Sequence, residues 1–272
     1  MTGRPSRLVL LGHPVRHSLS PTFQNAALRS AGMPITYEAL DVPPAELATR
    51  VRALVEERAA GNVTIPYKEA FAALCERRTP IAERAGAVNT FWVAGDGAVV
   101  GDNTDVGGFD HLATRVLGRE PRALRVAVLG AGGASAAVLA AVERWPGCEV
   151  TLQNRSAERR DALARRFPVV TRTCSDPAEA AQGCHMAVNA TPIGMTDDAL
   201  PVSIEALEPG AAVVDLVYRR GGTPWVRAAR ERGLRAEDGL AMLLEQGALA
   251  FERWLGIPAP RDVMRAALCE GP

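Results

Sequence analysis

Short apolar runs alternate along the chain with longer stretches whose apolar residues recur at helical spacing. RLVLLG is followed by SPTFQNAALRSAG, ITYEALDV by PPAELATRVRALVEERAA, and GNVTI by PYKEAFAALCE. Runs of strand length read as strands and amphipathic stretches as helices, so the alternation predicts an α/β architecture with helices covering a mostly parallel sheet. AVNTFWVA and AVVGDN flank Gly95-Asp96-Gly97, the signature of a hairpin. The rhythm then changes: TDVGGFDHLATRVLGREP reads as a helix ending in a linker with Gly118 and Pro121.

A second α/β series follows, with LRVAVLGAGG, a helix over about 134–144, CEVTLQN, a helix over 157–166, then CHMAVNATP and AAVVDLVY. The tail from about Asp238 to Cys269 carries two helical patterns and no strand. The expected organisation is an N-terminal α/β domain over residues 1–105 and a Rossmann-type doubly wound domain over 106–238, separated by a cleft. Helices from about 239–272 are expected to pack back on the first domain. There is no internal repeat and no low-complexity segment.

Charge removes several function classes. Among 272 residues, 31 Lys and Arg balance 31 Asp and Glu, so no net field draws the chain to nucleic acid or to an anionic membrane. The apolar runs fall well short of the ~20 residues that span a bilayer, and MTGRPSRLVLLGHP lacks a signal-peptide core, so a cytoplasmic protein is expected. Its 5 cysteines are scattered without C-x-x-C pairing, which points to reduced thiols rather than disulfides or zinc. Pro14 lies between His13 and His17, and no acidic third ligand is near, so no metal site is expected. A monomer and a homodimer are equally compatible with the sequence.

VAVLGAGGAS places Gly130, Gly132 and Gly133 after an apolar strand and before an alanine-rich helix. Glycines there let the backbone turn tightly and approach a pyrophosphate, whose charge meets free N–H groups and the helix dipole. The spacing is incomplete, since Ser135 stands at the third position of the pattern, and a plain glycine turn would look similar. The next strand adds weight. An NAD-selective fold ends it in an acid that holds the ribose 2′-OH. Here Asn154 and Arg155 stand at that end, with Arg159 one turn into the following helix. Guanidinium groups suit a 2′-phosphate, so the expected cofactor is NADP rather than NAD. NATPIGM closes the fourth strand of this domain with a polar break, making Thr191 and Met195 candidate contacts on the nicotinamide side.

Polar residues interrupt apolar runs in the first domain as well: Ser18 and Ser20 in HSLSP, Asn89 and Thr90 in GAVNT, Asn103 and Asp105 in GDNTDVGGF. Ser20-Pro21 reads as a helix start, with serine as N-cap and proline at the first helical position. In GNVTIPYKEA, period-two alternation puts Asn62 and Thr64 on one strand face. Pro66 is expected to open the next helix, with Lys68 emerging from its first turn. Hydroxyls, amides, one carboxylate and one amine together suit a small polyhydroxylated acid.

In order along nearly the whole chain, GHPVRHSLSP, GNVTIPYK, GAVNT, GDNTDVGGF, LGAGGAS, NRSAER, NATPIGM, DLVY and GLAMLLEQGALAFERW resemble the shikimate dehydrogenases. That family reduces 3-dehydroshikimate with NADPH in aromatic amino-acid biosynthesis. The resemblance implies that Ser18 and Ser20 hold the substrate carboxylate, and that Asn62 and Thr64 meet its hydroxyls or carboxylate. It implies that Asn89 and Asp105 contact ring hydroxyls, that Lys68 is the catalytic acid/base paired with Asp105, and that Tyr218 and Gln246 complete the pocket. On the cofactor side it implies the loop Gly130, Ala131, Gly132, Gly133 and Ala134, then Asn154, Arg155, Ser156 and Arg159 for the adenosine end. Thr191, Met195, Leu216 and Gly239 would flank the nicotinamide.

The chain departs from the family pattern at Gln24, where a histidine is common, at Pro192, where serine is frequent, and at Arg219-Arg220, where many members carry Asn-Pro. A quinate/shikimate or aminoshikimate dehydrogenase of the same superfamily is the neighbouring alternative. A non-catalytic metabolite- or nucleotide-binding regulator on this fold is the alternative from another class.

Overall fold

The computed structural model describes residues 4–270, so the ends of the expected domains at residues 1–3 and 271–272 lie outside the described residues. The chain divides into two compact units, residues 1–104 with 243–272, and 105–242. The divisions fall at 104/105 and 242/243 rather than at 105/106 and 238/239. Asp105 is the first residue of a helix that belongs to the second unit, and residues 240–242, which open the helix after Gly239, still group with that unit.

The first unit runs β1 (Leu8–Gly12), α1 (Ser20–Ser30), β2 (Tyr37–Asp41), α2 (Leu47–Glu56), β3 (Ala60–Val63), α3 (Lys68–Leu74), β4 (Arg77–Arg78), α4 (Pro80–Ala85), β5 (Thr90–Val93) and β6 (Val99–Asp102). Its 6-stranded sheet has the order β2-β1-β3-β5-β6-β4. β5 runs antiparallel to both of its neighbours, closing the expected hairpin with β6, and the other pairs are parallel. Alternation along β1 divides the core: Leu8 and Leu10 face one cluster, Val9 and Leu11 another. The second cluster is covered by Leu47, Val51 and Leu54 of α2 and Phe71 of α3.

The second unit runs α5 (Asp105–Leu117), β7 (Arg125–Leu129), α6 (Gly133–Val142), β8 (Glu149–Gln153), α7 (Ala157–Ala164), β9 (Val170–Cys174), α8 (Pro177–Ala181), β10 (Met186–Asn189), β11 (Ala212–Asp215), α9 (Pro224–Glu231) and β12 (Arg235–Glu237). Its sheet is wholly parallel, in the order β12-β11-β10-β7-β8-β9. Renumbered from β7 this is 3-2-1-4-5-6, the doubly wound order that reverses between its first and fourth strands. Ligands of such sheets bind at the carboxyl ends of the strands at that reversal, here between β7 and β10.

Two further helices follow, α10 (Leu240–Leu255) and α11 (Arg261–Glu270). Leu244, Phe251 and Trp254 of α10 and Met264 of α11 join Leu8 and Leu10 with Phe23 and Leu28 of α1, so the tail covers the first sheet. Arg261 holds the two tail helices together, reaching Glu245 at 2.7 Å and Glu252 at 2.6 Å. Among the described residues no helix is long and apolar enough to cross a membrane.

Candidate functional site

In the first unit the polar residues form a connected buried path. Ser18 Oγ accepts the Ser20 backbone N–H at 3.2 Å, so Ser18 rather than Ser20 satisfies the start of α1. Ser20 is already inside the helix, with Pro21 behind it, and its side chain turns inward to hydrogen-bond the Tyr37 hydroxyl. Burial pushes the Tyr37 phenol well above its ordinary pKa, with the Ser20 bond pulling the other way, so Tyr37 stays a neutral donor. Tyr37 Oη donates to Asn62 Oδ1 at 2.8 Å, and Asn62 Nδ2 donates to the Asn89 carbonyl at 3.1 Å. One amide hydrogen of Asn62 is left beyond these bonds.

Asn89 extends the path. Its Oδ1 accepts the Thr104 backbone N–H at 2.7 Å, while its Nδ2 reaches Thr104 Oγ1 at 3.0 Å and Gln246 Oε1 at 3.2 Å. Gln246 is anchored in turn through Nε2 to the Leu243 carbonyl at 2.8 Å. Ser20, Asn62, Asn89 and Gln246 are thus brought together, and Ser18 is tied to them through Ser20. Tyr37 and Thr104 supply links that sequence reasoning missed. A tyrosine in a strand run reads as core, and only the inward-facing hydroxyl marks it as something else.

Thr64 lies just past β3, with its N–H held by the Leu11 carbonyl at 2.8 Å. The Ile65–Pro66 peptide is cis, and the Tyr67 N–H closes on the Thr64 carbonyl at 2.9 Å, placing proline third in a four-residue turn. Pro66 therefore precedes α3 by a turn instead of opening it, because the chain reverses before the helix begins at Lys68. The Lys68 carbonyl accepts the Val88 N–H at 2.9 Å, which fixes the start of α3 beside Asn89. Buried Asp102 accepts the Asn103 N–H at 2.8 Å and pairs with Arg253 at 3.0 Å, setting the turn that leads through Thr104 to Asp105. Asp105 is buried at the first position of α5, where a carboxylate meets the positive end of the helix dipole.

Gln24, the departure in α1, is fully buried and donates to the Gly247 carbonyl at 2.9 Å, joining α1 to α10. His13 Nδ1 lies 2.7 Å from Asp41 Oδ1 at the ends of β1 and β2.

In the second unit the glycine loop joins β7 to α6. Gly130 has φ +114°, and a Cβ there would lie 2.8 Å from the Ala190 carbonyl oxygen, so only glycine lets this turn pass the β10 loop. A Cβ on Gly132 or Gly133 would meet nothing within 4 Å. The start of α6 therefore has open space beside these two glycines, and Ser135 Oγ accepts the Gly132 N–H at 3.4 Å. This cradle fits a dinucleotide pyrophosphate.

At the end of β8, Asn154 Nδ2 donates to the Ser156 carbonyl at 3.0 Å, and Ser156 Oγ caps α7 by accepting the Arg159 N–H at 3.3 Å. The guanidinium groups of Arg155 and Arg159 are exposed and form no hydrogen bond or ion pair with any described residue, whereas neighbouring Arg160 is tied to Asp161 at 2.8 Å. Two unpartnered guanidiniums at this strand end fit a 2′-phosphate.

Past β10, Asn189 Oδ1 accepts both the N–H and the hydroxyl of Thr191, at 3.0 and 2.6 Å, and Met195 is exposed nearby in sequence. Gly239 approaches Leu216 so closely that a Cβ would stand 2.3 Å from the Leu216 carbonyl oxygen, which requires glycine there. Burial raises the Tyr218 phenol above its ordinary pKa. Among the described residues no group of His, Cys, Asp and Glu is placed to hold a metal ion.

Known proteins share both halves of this arrangement. Residues 10–91 match the family described as Shikimate dehydrogenase substrate binding domain, and residues 239–269 match the Shikimate 5'-dehydrogenase C-terminal domain. Shikimate dehydrogenase (NADP(+)) of Rubrobacter xylanophilus is 46% identical over 277 residues, covering 98% of this chain and 96% of that one. The crystal structure of shikimate dehydrogenase from Aquifex aeolicus superposes with a TM-score of 0.90 at 35% identity, over 96% of this chain and 97% of that one. Shikimate 5-dehydrogenase of Thermus thermophilus, in complex with NADP(H) and shikimate, superposes with a TM-score of 0.87 at 40% identity, over 96% and 97% of the two chains. With identity of this extent running through both units, the chain belongs to the shikimate dehydrogenase family.

Proposed function

We propose that the chain is an NADP-dependent shikimate dehydrogenase, catalysing the reversible reduction of 3-dehydroshikimate to shikimate with Lys68 as acid/base and Asp105 as its partner. The observation that carries this reading is the full-length similarity to the NADP(+)-dependent relative at 46% identity. The open cradle at Gly132 and Gly133 and the unpartnered Arg155 and Arg159 support NADP as the cofactor. Such an enzyme works in the cytoplasm on small molecules, as a monomer or homodimer, without nucleic acid or membrane as partner.

NADPH, when bound, supplies the hydride that reduces the ring ketone. Negative charge then develops on the ketone oxygen, and the chain's task is to stabilise and protonate it. The Lys68 ammonium does both, giving its proton to that oxygen; positioned proton transfer of this kind contributes about 10² to 10⁴-fold. In the opposite direction the neutral amine takes the proton from the substrate hydroxyl. Asp105 orients the amine. Ser18 and Ser20 hold the substrate carboxylate, while Asn62 offers its remaining amide hydrogen. Thr64, Asn89, Tyr218 and Gln246 complete the substrate set.

Steady-state assays following NADPH absorbance, with shikimate or quinate and with NADP or NAD, test substrate and cofactor together. Turnover is expected with shikimate and NADP, and preference for quinate or NAD would overturn the assignment. Lys68→Ala is expected to lower kcat by orders of magnitude with a smaller change in KM. Near-wild-type turnover of that variant would remove Lys68 from the acid/base role.

A further inference from the structure

One buried carboxylate has no part in the chemistry above. Asp215, the last residue of β11, is fully buried. Its oxygens are held entirely by neutral donors: Oδ1 accepts Asn189 Nδ2 at 2.8 Å and the Val217 N–H at 3.1 Å, and Oδ2 accepts Thr223 Oγ1 at 2.7 Å. A carboxylate in such a place is costly unless each lone pair facing protein has a donor. These donors tie it to β10, to the chain leaving β11 and to the cap of α9.

Asn189 and Asp215 are register partners on adjacent parallel strands, beside the reversal of the doubly wound sheet. A carboxylate only accepts, so it forces the Asn189 amide to point its nitrogen toward Asp215 and its oxygen the other way. That oxygen then meets Thr191, accepting its N–H and its hydroxyl. The second Asn189 amide hydrogen goes to the Ile193 carbonyl at 3.1 Å, and the Ile193 N–H returns to Thr191 Oγ1 at 3.2 Å. Every polar atom of the Asn189 side chain is used, and the loop's own Ile193 carbonyl and Thr191 N–H demand the same orientation that Asp215 imposes from the neighbouring strand.

The same exit from β11 holds the far end of this loop. Arg219 Nη1 donates to the Asp197 carbonyl at 2.7 Å and reaches Asp198 Oδ1 at 3.2 Å. The segment from Thr191 to Asp198 is thus bracketed by Asp215, which ends β11, and by Arg219, which follows it, with Tyr218 between the brackets.

We propose that Asp215 is a positioning residue for the cofactor: acting through Asn189, it fixes the Thr191–Met195 loop in the conformation that receives the nicotinamide end of NADP(H). This rests on the reading that Thr191 and Met195 meet the nicotinamide. The side chain of Asp215 itself touches neither substrate nor cofactor. It supplies the fixed acceptor from which the loop's hydrogen bonds are oriented.

Asp215→Asn tests it. The substitution keeps the shape but removes one acceptor: either Thr223 Oγ1 turns to accept from the new amide and its hydroxyl hydrogen loses its partner, or the amide flips and meets Asn189 Nδ2 and the Val217 N–H donor to donor. The KM for NADP is expected to rise by about ten- to a hundredfold, as for misplacement of a binding group from behind. The KM for shikimate should stay within about twofold, a split that general loss of structure would not give. Asp215→Glu serves as the conservative comparison and should not restore the cofactor KM, because the longer side chain displaces the acceptor. Should Asp215→Asn melt below the assay temperature, Asn189→Ala breaks the same chain one residue nearer the loop and reads the same split.

Thr191→Val and Met195→Ala, assayed in parallel, separate two failures. If they raise the cofactor KM while a folded Asp215→Asn leaves it unchanged, the positioning role is overturned and the loop reading stands. If none of the variants moves it, the loop does not meet the nicotinamide and both fall.

Discussion

Adding one methyl group at either end of the glycine loop should separate a structural glycine from a ligand-facing one. Gly130 sits at φ +114°, where an L-residue is strained, and its new Cβ would lie 2.8 Å from Ala190 O, 3.0 Å from Ala190 C and 3.1 Å from Thr191 Cγ2. The left-handed backbone alone costs about 1–2 kcal/mol, and overpacking against backbone adds about 1–3 kcal/mol. For a unit of this size each kcal/mol lowers Tm by about 2–4 °C. Gly130→Ala is therefore expected to melt roughly 4–20 °C lower than wild type, the sum of those contributions. Its cofactor affinity should fall as well, because the clash pushes the β7 turn and the β10 loop apart.

Gly132→Ala differs in sign on the first measure and agrees on the second. Its Cβ meets nothing within 4 Å, and its φ of −106° is ordinary for alanine, so the melting temperature should hold or rise slightly. On the proposed reading, the space it enters is where the backbone approaches the cofactor pyrophosphate. A methyl group there should raise the KM for NADP at least about tenfold, the equivalent of 1.4 kcal/mol. Thermal melts followed by near-ultraviolet circular dichroism, beside steady-state KM values, give both quantities on one preparation. A Gly132→Ala enzyme with unchanged NADP affinity would refute the placement of the phosphates. Equal destabilisation of the two variants would refute the steric argument.

Three further outcomes are expected. Replacing Arg155 and Arg159 by serine removes two guanidiniums that have no partner among the described residues, so the melting curve should not move, while the KM ratio of NADP to NAD rises by about ten- to a hundredfold; an unchanged ratio would exclude them from the 2′-phosphate site. Tyr37→Phe strands Asn62 Oδ1 without its donor and should cost about 1–3 kcal/mol in urea denaturation, together with a higher KM for shikimate, whereas a neutral result would mean that water replaces the hydroxyl. Burial, reinforced by the like charge of Asp238 and opposed by the bonds from Thr223, Asn189 and Val217, pushes Asp215 from its ordinary 3.8 up to about 6. The folded state therefore takes up this proton before the unfolded chain does, so the Asp215 contribution to stability is least above about pH 6 and improves as pH falls toward 4, by about 3 kcal/mol in all. Unfolding free energies measured against pH should show that slope in the wild type and not in Asp215→Asn.

What the sequence revealed and withheld follows from the range over which each feature acts. The glycine loop, the arginines after β8 and the polar break after β10 are local, since each needs only a strand end and a few residues beyond it. Strands with apolar runs were equally plain. β4 (Arg77–Arg78) and β12 (Arg235–Glu237) were not, because each is a short edge strand made mostly of charged residues, both of them exposed in β4 and with only Ala236 buried in β12, which is how sheets protect their margins. The Ser18 bond to the first helical N–H and the turn around Pro66 escaped for a related reason. Serine and proline each fit more than one position at a helix start, and which one they take depends on what the side chain meets from outside, here the Tyr37 hydroxyl for Ser20.

The least legible features are those created by pairing distant strands. Tyr37 and Asn62 come together because β2 and β3 both lie against β1, and Asn189 meets Asp215 because β10 and β11 are in register. Nothing in NATPIGM or DLVY alone reveals that the amide of one is oriented by the carboxylate of the other. The two motifs therefore act as one: a substitution at Asp215 should be read out at Thr191, at the end of a neighbouring strand, before it is felt at Tyr218, close by in its own. The same reasoning applies to Arg219, where the departure from Asn-Pro gives the loop a tether to the Asp197 carbonyl. Arg219→Asn should loosen the far end of that loop while leaving the Asn189 anchor in place. A modest rise in cofactor KM, smaller than that of Asp215→Asn and adding to it in the double variant, would show that the two brackets act independently. A double variant no worse than Asp215→Asn alone would show that they act through one loop state.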